Sequence, residues 1–171
     1  AMDKDDVGRL RNAPRALAQA AWLTLGKSIS GIFTTATGTG PTLSDTKALF
    51  HTDHANLGTT ALSSGTWAAC KLAMRKQAEL NSGERLGGLT APKFLLVPPD
   101  LEATALIMLG SEGLPGGANN DVNVDAEGNT HDARLASARR RVIVVDLWTD
   151  TNNWAAVADP RLYPTIGVGF R

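Results

Sequence analysis

The sequence predicts an α+β fold, with helices early in the chain and strands late. Three observations carry this. Apolar residues recur at helical spacing from Leu17 to Ile32. β-branched residues crowd into Val142-Ile143-Val144-Val145 and alternate again from Thr165 to Phe170. At 171 residues the chain is long enough to bury one core without metal or disulfide staples.

The first helix runs to about Phe33. Pro14 suits a first helical turn with Asn12 as its cap, or else marks a bend in a helix that begins near Asp3. Leu17, Ala18, Ala21, Trp22, Leu25, Ile29 and Ile32 share its apolar side. Gly26 and Gly31 weaken its far end by about 1 kcal/mol each relative to Ala. Thr34 to Pro41 has no periodicity and reads as a flexible loop.

A second helix is expected from about Gly65 to Leu80. Ser64 is its N-cap, Trp67, Cys70, Ala73, Met74 and Gln77 lie on one face, and Asn81-Ser82-Gly83 stops it. Lys93 to Val97 is a short buried strand ended by Pro98-Pro99. A third helix follows at once, with Asp100 and Glu102 near its positive end. Its stripe is Leu101, Ala105, Met108 and Leu109, and Gly110 terminates it.

Ser111 to Ala138 is rich in Gly, Asn and Asp, which is turn chemistry. Val122 and Val124 are expected to pair in a small hairpin with the stretch beyond Gly128. Arg139-Arg140-Arg141 then leads into Val142 to Trp148, the strongest strand signal in the chain. Trp154 to Ala158 is a second late strand and Thr165 to Phe170 a third. No internal repeat is present.

Composition excludes several function classes. The 17 Lys and Arg balance the 17 Asp and Glu, so no electrostatic footprint for nucleic acid or an anionic membrane exists. The single Cys70 rules out an intrachain disulfide and a cysteine-based zinc cage. No apolar run approaches a membrane span, and the opening residues lack signal-peptide character. Ala1 before Met2 reads as the remnant of an expression tag.

His51, Asp53 and His54 invite a metal reading, because imidazole and carboxylate are ordinary ligands of zinc and related metals. On that alternative the protein is a small metal-dependent hydrolase, with His131 and Asp132 folding back to complete the site. The His-x-x-His spacing, however, does not place two imidazoles one helical turn apart beside a general base. Its loop setting favours His, Asp and Asn that satisfy backbone groups in turns. Ser28, Ser63 and Ser64 lack a nucleophile elbow, and Cys70 reads as a core residue. Neither Gly38-Thr39-Gly40 nor Gly116-Gly117 continues into a phosphate-binding loop. Arg139, Arg140 and Arg141 read as a solvated strand edge, with at most a weak non-specific contact to DNA. Trp22, Trp67, Trp148 and Trp154 are core or interface anchors.

Two segments at matching spacing resemble one family. The first is Asp45-Thr46-Lys47-Ala48-Leu49-Phe50-His51-Thr52-Asp53-His54-Ala55-Asn56-Leu57. The second is Lys93-Phe94-Leu95-Leu96-Val97-Pro98-Pro99-Asp100-Leu101-Glu102, and Met74-Arg75-Lys76-Gln77 lies between them. Together they resemble the major capsid proteins of tailed phages and prophages, in the group encoded fused to a prohead protease and related to the Mu-like head subunit. The resemblance extends from Pro14 onward.

It implies the HK97-like coat fold, here truncated at both ends, with a mixed or antiparallel sheet and short helices. Residues 1–60 would be the spine helix and connecting loop of the peripheral domain, and residues 61–171 an axial-domain-like part, or the two a single domain. It implies a structural subunit, not an enzyme, that assembles with its own copies into an icosahedral shell around DNA. Scaffold or prohead protease would be further partners. The location would be the virion, and the host cytoplasm before assembly. No cofactor, metal or membrane is implied. The signature residues Phe50, His51, Asp53, His54, Asn56, Pro98 and Pro99 would be architectural, with Phe50 and Leu57 docked into the core. Ala55 stands where the family usually has Gly, from which no positive φ is expected there. Ser111 to Ala138 has no counterpart in the family pattern.

Overall fold

Between Lys4 and Thr34 Pro14 and three glycines oppose helix formation, yet the chain forms one continuous helix of 31 residues, α1. At 1.5 Å per residue it is about 46 Å long. The structure is a computed structural model, described over residues 4–79, 82–113, 122–128 and 130–163, with side chains from Asn12 onward. Of the two sequence readings, the early start holds. Pro14 lies inside α1, where it removes one backbone bond, and Asn12 caps nothing. From Thr35 to Gly40 the chain is a ladder of turns, with Gly40 N donating to Thr35 O at 2.9 Å.

The second helix, α2, spans Ser64–Lys76. Its cap is Ser63, one residue before the expected Ser64. Ser63 Oγ accepts from the Thr66 N–H at 3.1 Å, and Thr66 Oγ1 accepts from the Ser63 N–H at 2.8 Å. This reciprocal box selects Ser63, because only there does a hydroxyl stand three residues on. The helix also ends early. Gln77 turns to ψ 133, and Ala78 bridges Arg85 antiparallel.

The sheet is built on β1, Pro92–Val97. β2, Val142–Val144, pairs with it in parallel, with Leu95 opposite Val142 and Val97 opposite Val144. β3, Ala155–Ala158, pairs with it antiparallel, giving the order β2-β1-β3. Parallel neighbours need a long crossover. Here it is a 3₁₀ turn at Pro99–Leu101, helix α3 at Glu102–Gly110, and helix α4 at His131–Arg141. So the α+β class holds and the sheet is mixed, with one parallel pair inside it.

Helix α4 replaces the hairpin expected from Val122 and Val124. Thr130 Oγ1 accepts from the Ala133 N–H at 3.2 Å, Asp132 lies in the first turn, and Arg139, Arg140 and Arg141 lie in the last. Both charge placements suit the helix dipole. The arginines are therefore a helix end, not a strand edge. Val122 instead bridges Gly113. β2 stops at Val144 because the chain turns, with Trp148 N donating to Val145 O at 3.0 Å. The strand expected at Thr165–Phe170 lies outside the described residues.

One sheet face carries the core. Leu95 and Val97 of β1 and Val142 of β2 pack with Trp67 of α2, with Ala105, Met108 and Leu109 of α3, and with Ala138 of α4. The expected stripe of α3 is the one that is buried. Cys70 is only half-buried, and burial pushes its thiol above the usual range. The other face meets the last two turns of α1. An open apolar cleft of about 350 Å³ remains there, lined by Gly26, Ile29, Phe33, Leu96, Ile143 and Leu147 among others. Phe33 also packs on buried Trp148, ring centroids 5.6 Å apart. Among the described residues no helix is long and apolar enough to cross a membrane.

Candidate functional site

The signature segment connects α1 to α2. Thr42 and Ala48 bridge antiparallel, Leu43 N donates to Lys47 O at 2.8 Å, and Thr46 turns the tip at φ 68. Phe50 then stacks on Phe33 at 5.7 Å and anchors the loop to α1. A single 3₁₀ turn follows at Thr52–His54. Its cap is His51, whose Nδ1 accepts from the Asp53 N–H at 3.1 Å.

Asp45, Lys47, His51, Asp53, His54 and Asn56 each have a partner inside the segment. Asn56 holds both sides of the loop: its Nδ2 donates to Leu49 O at 2.8 Å, and its Oδ1 accepts from the His51 N–H at 2.9 Å. Lys47 pairs with Asp53. Gln77, at the end of α2, donates to His54 O at 3.0 Å and ties the turn to that helix. His54 itself sits between two oxygens. Its Nε2 is 2.7 Å from Asp45 Oδ2, and its Nδ1 is 3.1 Å from Leu49 O.

That placement fixes the chemistry of His54. Neither oxygen offers a proton, so both contacts are satisfied together only when both ring nitrogens carry one. The Asp45 carboxylate and then the Leu49 carbonyl raise its pKa above the ordinary 6.5. Reciprocally, His54 and then the Lys47 N–H hold Asp45 below the usual carboxylate value. Lys47 lowers Asp53, and Asp53 raises Lys47.

Both ring nitrogens of His54 already face oxygens, Asp45 Oδ2 and Leu49 O, and Nδ1 of His51 accepts from the Asp53 N–H. His131 and Asp132 lie exposed at the start of α4, and among the described residues no hydrogen bond or ion pair joins them to this loop. Among those residues no group of three His, Cys, Asp or Glu is arranged to hold a metal ion. The alternative of a hydrolase using His51, Asp53 and His54 therefore draws no support from the geometry. Pro98 is buried after β1, and Pro99 opens the 3₁₀ turn before α3.

Two expectations for the segment fail. Leu57 is 37% exposed and does not enter the core. Ala55 does take a left-handed backbone, at φ 52 and ψ 30, as the C-cap that turns the chain away from the 3₁₀ turn. An L-residue there costs about 1–2 kcal/mol. Ala55→Gly should therefore stabilise the chain by up to about 1 kcal/mol after the extra entropy of glycine is subtracted. Urea denaturation measures this, and a loss of stability would contradict the assigned strain. The partners of Asp45, Lys47 and Gln77 do not follow from the sequence, because separations of nine, six and 23 residues obey no periodic rule.

A second unusual surface lies on α1. Every residue from Asn12 to Thr24 is exposed, yet no charged side chain occurs between Ala16 and Gly26. Leu17 and Trp22 are each 73% exposed. Thr24 Oγ1 turns inward to donate to Ala20 O at 2.8 Å, so even this hydroxyl serves the helix itself. Trp22, Gly26, Ile29 and Phe33 recur at helical spacing and form one stripe. The sheet covers its C-terminal end, and the stripe runs on beyond the sheet uncovered.

Among known protein families, the one described as phage capsid protein matches the chain over residues 1–171. No curated protein and no solved structure matches the chain. The match spans the whole chain, and the chain belongs to the phage capsid protein family.

Proposed function

We propose that this chain is a structural subunit that assembles with its own copies into an icosahedral phage shell around DNA, built on an HK97-like core of the Mu-like, protease-fused group. The observation that carries the reading beyond family membership is the exposed, uncharged stripe of α1 from Ala16 to Gly26. A helix that stays in water carries charge around its exposed faces. This one carries Leu17, Trp22 and Leu23 instead, which suits burial against other copies. On this reading residues 1–60 supply the spine and its connection, residues 61–171 the axial part, and scaffold or prohead protease are further partners. Exposed Arg139 and Arg140 are the groups through which a weak DNA contact would run.

The test is concentration-dependent assembly, followed by light scattering and electron microscopy, with and without a scaffold or protease partner. The wild-type chain should associate. Trp22→Asp should raise the required concentration at least about tenfold, as loss of an aromatic anchor does. Its melting temperature should stay unchanged, because Trp22 is exposed in the single chain. A wild-type chain that remains monomeric under every condition would sink the reading.

A further inference from the structure

The connection between α1 and α2 sets one imidazole between two acceptor oxygens, and nothing in the capsid reading requires this. We propose that the Asp45–His54 contact is a pH-operated latch, closed while His54 carries both ring protons and opened by base, which sets how tightly the α1–α2 connection is held to α2. His54 lies between Asp45 Oδ2 at 2.7 Å and Leu49 O at 3.1 Å. A neutral imidazole has one N–H and satisfies only one of them. The other contact then sets a lone pair against an oxygen lone pair and must open. If the Asp45 side opens, the tip of the Thr42–Ala48 bridge is freed. If the Leu49 side opens, the ring leaves the carbonyl that Asn56 also holds. Either way the turn whose carbonyl receives Gln77 loses one of its supports.

The surrounding charges make His54 the group that decides. Asp45 faces it directly. Lys47 lies close enough to oppose the imidazolium but is paired with Asp53. His51 meets the ring edge-on, centroids 5.9 Å apart. From α2 the contact is Gln77, which is uncharged, and α1 reaches the loop through Phe33, which stacks on Phe50. In the closed state two positive and two negative groups balance, and loss of the His54 proton leaves a net negative loop.

The pH window follows from the directions of the shifts. His54 titrates above its ordinary 6.5, so its contribution is complete below that value and is lost as pH rises through the folded-state value. Asp45 and Asp53 titrate below 3.8, so their contributions are complete above it and are lost as pH falls through the lowered values. The latch is closed between these limits.

Imidazole titration by NMR and amide exchange of Leu49 to Asn56 test the proposal on the whole chain. His54 should titrate above 6.5. Loop protection, corrected for intrinsic exchange, should fall roughly two- to fivefold across that midpoint, as expected for an exposed ion pair. Asp45→Asn should move the midpoint down, and His54→Gln should make loop protection independent of pH over the same interval. A wild-type midpoint at or below 6.5, an unmoved midpoint in Asp45→Asn, or a pH response surviving in His54→Gln would each overturn the latch. The Asp45→Asn arm decides alone if His54→Gln does not fold. Shell assembly enters none of these readouts, so failure here leaves the capsid reading intact.

Discussion

Trp67→Ala lowers the stability of the chain by about 3–5 kcal/mol, the range for emptying a large aromatic site in a packed core. Trp67 is the one buried residue of α2 and is fully inaccessible. It belongs to the cluster that joins Leu95 and Val97 of β1 to Ala105, Met108 and Leu109 of α3. Its removal therefore leaves a cavity and loosens α2 as a whole. The side chain also carries a burden, since its buried Nε1 has no hydrogen-bond partner among the described residues. An orphaned donor offsets about 1–3 kcal/mol of what burial contributes. Trp67→Phe keeps most of the apolar contact and deletes the orphan, so its cost stays below about 2 kcal/mol. Urea unfolding followed by circular dichroism measures both variants. Equal losses would mean that the indole N–H has a partner after all.

The sequence was informative wherever one strong local rule acted alone. Apolar spacing located α1 and the buried stripe of α3, and Pro98-Pro99 marked the end of β1. It misled where two rules competed for the same residues. The Gly- and Asn-rich approach to Thr130 concealed α4, although a threonine cap, an acidic first turn and a basic last turn were all written in Thr130 to Arg141. The arginines were assigned to the strand that follows them, and the helix was lost. The parallel pairing of β1 with β2 was invisible for the same reason, because it needs the crossover that α4 completes. In the signature loop, composition correctly pointed to residues that satisfy a turn. The specific pairs, Asp45 with His54 and Lys47 with Asp53, close over a loop whose tip turns at a left-handed Thr46, which residue type does not announce.

Gly128→Ala destabilises the chain by about 2–4 kcal/mol, the sum of backbone strain and a damaged helix cap. Gly128 has φ +123, a conformation that residues with a Cβ rarely adopt. A Cβ there would lie 2.7 Å from Ala133 Cβ, 2.9 Å from Ala133 C and 3.0 Å from Arg134 N. Two of these atoms are backbone in the first turn of α4, so no side-chain rotation relieves the clash. The turn must move away from Thr130, whose hydroxyl caps it through the Ala133 N–H. The damage spreads along both neighbours. Glu127 accepts from Ser137 Oγ at 3.0 Å, and buried Asp125 pairs with Lys71 of α2. Farther along α4, Ala138 belongs to the core. Gly83→Ala is the control: φ is +70, but nothing among the described residues lies within 4 Å of the added Cβ. It should cost only about 1 kcal/mol, the penalty for a left-handed backbone alone. Thermal unfolding of the two variants separates strain from steric overlap. If Gly128→Ala costs no more than Gly83→Ala, then Gly128 does not approach α4 as closely as this packing requires.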